Sequence, residues 1–123
     1  MELFETVGST ETLLRLIATY QGLNGGRRAN AIDIWSKIAT YVREGGEYRF
    51  YPLDECQSEK PGGRFRSDLV ELIEGGFLRL LDDGKIEVTP FGRFFAKALA
   101  VPSSVTDLEA QLSANASNHH TEG

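Results

Sequence analysis

The chain has 123 residues, 41% hydrophobic and 25% charged, a mixture suited to one soluble domain around a single modest core. A lone cysteine, Cys56, excludes a disulfide framework, and a net charge of −5 counts against a protein that coats nucleic acid by charge alone. No apolar run approaches a membrane span, and "MELFETVGST" has neither the basic start nor the apolar core of an export signal, so the expected location is intracellular, in the cytoplasm.

In chain order, "STETLLRLIATYQGL" comes first, with Leu13, Leu16, Ile17 and Tyr20 at helical spacing. Ser9 or Thr10 can cap its start, and Glu11 complements the helix dipole. "QGLNGGRR" reads as a loop. A second helix is predicted over "NAIDIWSKIATYVREGG", with Asn30 as cap, Gly45 as stop, and Ile34, Trp35, Ile38, Ala39 and Val42 as its stripe. Tyr48, Arg49, Phe50 and Tyr51 suit a short strand that Pro52 ends. "LDECQSEK" has room for two helical turns with Leu53 and Cys56 inward, and "PGG" turns the chain.

From Arg64 to Glu74, Phe65, Leu69, Leu72 and Ile73 form the i, i+4, i+7, i+8 series of one helix face. Gly75-Gly76 stops that helix, and Phe77 begins a strand. Side-chain parity settles the register of the hairpin that follows. With Asp82-Asp83-Gly84 as a three-residue loop, Leu80 faces Ile86, Leu78 faces Val88, and Arg79 faces Glu87 on the other side. A two-residue turn would set Leu80 against Glu87 instead. Thr89 and Pro90 then start a helix whose stripe of Phe91, Phe94, Phe95, Ala98 and Leu99 is too wide for a helix alone in water. Thr106 and Glu109 form a capping box for a short last helix, and "ANASNHHTEG" is expected to be disordered.

The order of these elements resembles a winged helix-turn-helix domain over residues 31–101: mostly α, with a small antiparallel β-hairpin. The resemblance rests on "RFRSDLVELIEGGFLRLLDDGKIEVTPFG", where an abruptly stopped helix, a tight hairpin and a "TPFG" helix start follow in the family's order. Residues 1–30 are then an N-terminal helical extension and 102–123 a tail. The resemblance implies that helix 64–74 is a recognition helix set against double-stranded DNA, with the hairpin as a wing beside it.

On that helix Arg64, Arg66, Ser67, Asp68, Glu71 and Glu74 fall outside or at the margin of the core face. Arginine can fork onto guanine or a phosphate, and serine suits phosphate oxygens. Lys60, just before the turn, adds a further phosphate contact. The acids make the trailing half repulsive to DNA, so insertion is expected leading end first. The same charges also suit a plain solvated face with i, i+3 and i, i+4 pairs. At the wing tip, "DDGK" carries two carboxylates, so the tip is not expected to enter DNA; Arg79 pairs with Glu87, leaving Lys85 as the wing contact. Arg27 and Arg28 could form a basic arm, and Arg93 and Lys97 read as solubilising charges.

The expected activity is binding, with no enzyme chemistry, cofactor or metal. His119 and His120 are adjacent, without spaced partners, and Cys56 has no histidine in the folded part to activate it. The leading expectation is a DNA-binding transcriptional regulator acting as a homodimer, with the apolar faces of 10–22 and 91–101 as dimer surfaces. An alternative uses the same fold as a protein–protein interaction module within a larger complex, without DNA. A third reading builds a ligand-sensing pocket from Trp35, Tyr41, Tyr48 and Phe50.

Overall fold

The computed structural model describes residues 8–22, 28, 30–99, 108 and 110. Within them run α1 (Ser9–Gly22), α2 (Ala31–Arg43), the single turn α3 (Leu53–Cys56), α4 (Gly63–Glu74), β1 (Leu78–Leu80), β2 (Ile86–Val88) and α5 (Pro90–Ala98). The chain is thus mostly helical with one two-stranded antiparallel sheet, an arrangement compatible with a winged helix. No described helix is long and apolar enough to cross a membrane.

α1 lies at the centre. Leu13, Leu14, Leu16 and Ile17 are all fully buried, because α1 packs against α4, α5 and β2 at once. The apolar face expected to serve a partner copy is therefore used inside the chain, which removes 10–22 as a dimer surface. Its cap also differs from expectation. Gly8 occupies the N-cap position, its N–H donating to Glu11 Oε1 at 3.1 Å and its carbonyl accepting from Thr12 N at 3.0 Å, which frees the Thr10 hydroxyl to bond α4.

Near the far end of α1, Gln21 is 2% exposed and closes the hairpin's outer edge. Its Nε2 donates to Ile86 O at 2.9 Å and its Oε1 accepts from Val88 N at 3.1 Å. One side-chain amide thus does for β2 what a third strand would do, satisfying the donor and acceptor that β1 leaves unpaired.

The corner between α4 and α5 is built from local rules. α4 ends in a Schellman motif: Gly76, at φ +85°, donates to Ile73 O at 3.1 Å, and Phe77 N donates to Leu72 O at 3.0 Å. The hairpin then pairs Leu78 with Val88, Arg79 with Glu87 and Leu80 with Ile86, the register that side-chain parity selects. Thr89 caps α5 by accepting from Gly92 N at 3.0 Å, and its hydroxyl donates to Gly76 O at 2.7 Å. Gly92 is required here by space. A Cβ would lie 2.1 Å from the Phe77 carbonyl oxygen, so α5 meets the bend before β1 backbone to backbone.

The 44–62 connection departs from the sequence reading. Residues 49–50 form a turn and Tyr51 a bend, and none of 48–51 is in a strand. Their rings pack instead. Tyr51 lies 5.2 Å from Tyr48 and 6.0 Å from Phe65, and Trp35 lies 5.3 Å from Phe65, centroid to centroid. α3 is one turn only, with Cys56 buried but Leu53 exposed. A four-residue helix cannot bury both, and the Cys56 end is drawn in by Arg43, whose guanidinium donates to Cys56 O at 2.6 Å. Burial pushes the Cys56 thiol pKa up. At the C-terminal side, Leu108 is helical and fully buried, while Thr106, Glu109 and the polar tail lie outside the described residues.

Candidate nucleic-acid interface

α4 buries Phe65, Leu69 and Leu72, half-buries Ile73, and turns Arg64, Arg66, Ser67, Val70, Glu71 and Glu74 to solvent. This division follows from the helical period and holds the helix against α1 and β1. Neither the Arg64 nor the Arg66 side chain makes a hydrogen bond or ion pair within the described residues. Both are at the leading end, where the N-cap residue Gly62 supplies no side-chain acceptor, so the dipole and the guanidinium groups present positive charge together.

Asp68 was expected at the margin and is buried, at 5% exposure. It lies three residues after Phe65 and four before Leu72, within the apolar arc, a spacing that already placed it on the core side. Two hydroxyls compensate its burial: Tyr51 donates to Oδ2 at 2.7 Å and Thr10 to Oδ1 at 2.9 Å. Burial, then Tyr48 and the bond to Asp68, drive the Tyr51 pKa far above the ordinary phenol range. The phenol is therefore a permanent donor. This node ties α4 to α1 and to the 44–62 connection, and so fixes which face of α4 looks outward.

Lys60 is exposed on the approach to α4, its N–H bonded to Ser58 Oγ at 3.1 Å. Lys85 is exposed on the hairpin loop beside Asp82 and Asp83, its N–H accepted by Asp83 Oδ1 at 3.0 Å. Arg64, Arg66 and Ser67 are thus grouped on one helix end with Lys60 leading in, while Lys85 stands apart on the loop. One acid opposes the cluster. Glu55 Oε1 is buried without a hydrogen-bond partner among the described residues, and lies 2.8 Å from where a Gly62 Cβ would stand.

The hairpin's charged pair is the expected one with an addition. Glu87 accepts from Arg79 at 2.5 Å and also from Arg28 at 3.0 Å. Arg79 first, then Arg28, holds the Glu87 carboxyl below its ordinary range. Arg28 therefore serves the hairpin and is not a free arm; Arg27 lies outside the described residues. Val70 escaped the sequence reading: 52% exposed, it stands i+4 from Arg66 and i+3 from Ser67 on the same outward face, a spacing legible without coordinates.

Of Trp35, Tyr41, Tyr48 and Phe50, Trp35 and Tyr48 are core, and only Trp35 lines the open groove of about 320 Å³ beside α2, with Ile32, Arg43 and Glu59. The chain matches no family model, no curated protein and no solved structure.

Proposed function

We propose that the chain is a DNA-binding transcriptional regulator that reads double-stranded DNA with α4, as a homodimer. One observation carries this reading: Arg64 and Arg66 are exposed and free of carboxylate partners among the described residues, at the uncapped leading end of a helix whose opposite face is buried. Guanidinium groups so placed can fork onto guanine or a phosphate. Ser67 and Lys60 suit phosphate oxygens, and Lys85 supplies the wing contact. Glu71 and Glu74 repel the backbone at the trailing end, which orients the helix with its leading end toward the groove.

Four cations make few phosphate contacts, so binding is weak and depends on salt. The test is a fluorescence-anisotropy titration of labelled random duplex at low and at physiological salt, with wild type and R64A/R66A. Wild type is expected to bind at low salt and weaken as salt rises, and the double variant to lose about tenfold or more. No wild-type binding at low salt overturns the reading.

The alternative, a protein-interaction module, draws on the same face. Val70 exposes an apolar side chain between Ser67 and Glu74, and Asp82 and Asp83 make the hairpin loop acidic. Such a surface suits a basic, partly apolar protein partner. V70S, which adds no charge, would leave duplex binding by the leading arginines in place and weaken capture of that partner.

A further inference from the structure

Among the described residues, the most exposed large apolar side chain is on α5. Phe94 is 74% exposed and Phe91 54%, and with Ala98, also exposed, they stand at i, i+3 and i+7 along one helix face. The stripe cannot roll inward. The Phe91 ring is stacked on Phe77 at 5.0 Å with planes 20° apart, and Gly92, the next residue, is jammed against the Phe77 carbonyl. A packed aromatic base therefore holds two rings out in water, the mark of a surface kept for a partner.

We infer that this stripe is the contact with a second copy of the chain, two α5 helices packing antiparallel about a two-fold axis near Phe94. Area supports that occupant. Rings with these exposures offer roughly 250 Å² of apolar surface per copy, about a third of the ~800 Å² that each partner of a standard interface buries, a fitting apolar centre for a polar rim. Shape supports it too: turned end for end, the stripe sets Phe94 against Phe94 and Phe91 toward Ala98, large against small. Position is the third support, and it alone rests on the DNA reading. α1 packs against both α4 and α5, so pairing through α5 leaves Arg64 and Arg66 uncovered on each copy and doubles a small set of cations.

The flank of the stripe gives the pairing a signature. α5 carries Arg93 and Lys97 and no acidic residue, and antiparallel packing brings the same flank of each helix together. Like charges then repel mildly across the seam. Added salt therefore strengthens self-association by about twofold while it weakens duplex binding.

Sedimentation equilibrium on the full chain, from low micromolar to about 100 µM, tests the inference with wild type, F94E, F94K and R64A/R66A, and circular dichroism checks folding. Wild type and R64A/R66A are expected to dimerise alike. F94E and F94K are expected to be monomeric and folded, since the ring they replace is exposed, and an equimolar mixture of the two to regain dimers. Wild type that stays monomeric at the top concentration, or F94E that dimerises like wild type, overturns the inference. Monomeric wild type that still binds duplex overturns the pairing alone, and dimeric wild type that binds no duplex at low salt overturns the DNA reading alone.

Discussion

Two halves of the molecule are joined by α4, and they are built on different principles. From Leu72 to Gly92 the chain is fixed by short-range geometry: a Schellman turn, a three-residue hairpin loop, and a threonine cap that bonds both its own helix and the glycine ending the previous one. From Glu44 to Gly62 it is fixed at long range, by the Tyr51 ring packed edge-on against Phe65, an arginine on a carbonyl and a phenol on a buried carboxylate. The difference teaches where each half fails. Short-range geometry has no slack, because backbone meets backbone, whereas side-chain packing can relax around a missing atom.

The largest loss is therefore expected at Gly92. Gly92→Ala drives a methyl into the Phe77 carbonyl, which is held by the Thr89 N–H, and should cost about 3 kcal/mol or more, read as a lower urea midpoint. Asp68→Ala comes next. It strands the Tyr51 and Thr10 hydroxyls and opens a small void, for about 2–3 kcal/mol; Asp68→Asn, which keeps an acceptor, should recover part of that stability. Smallest is Leu53→Ala. Its side chain is 55% exposed, and the change should stay within about 0.5 kcal/mol. If Gly92→Ala proved milder than Asp68→Ala, the contrast between the halves would be wrong.

The same contrast explains what the residues alone disclosed. The 64–92 corner was legible because each device occupies a few adjacent positions: paired glycines, "DDG" at a loop, "TP" at a helix start. Its register followed from parity. The strand read into "YRFY" failed since propensity needs a neighbouring edge, and the hairpin's free edge is taken by Gln21, 65 residues from Ile86 along the chain and invisible to any local window. Thr10 was misread as a cap because a hydroxyl that suits an N-terminus also suits a buried carboxylate. At the candidate interface, the outward place of Arg64, Arg66 and Ser67 followed from helical spacing, as that of Val70 would have. The Arg28–Glu87 contact joins residues 59 apart and has no sequence signature.

The Gln21 amide has a mechanical meaning. It grips neighbouring peptide groups of β2 with both its ends, so the ribbon cannot swing unless α1 itself shifts, and α1 is the molecule's keel. Anything approaching α4 thus meets a rigid jig, and any accommodation falls to the visitor. Hydrogen exchange at the Val88 amide reports that stiffness directly: it should open as slowly as the centre of α1.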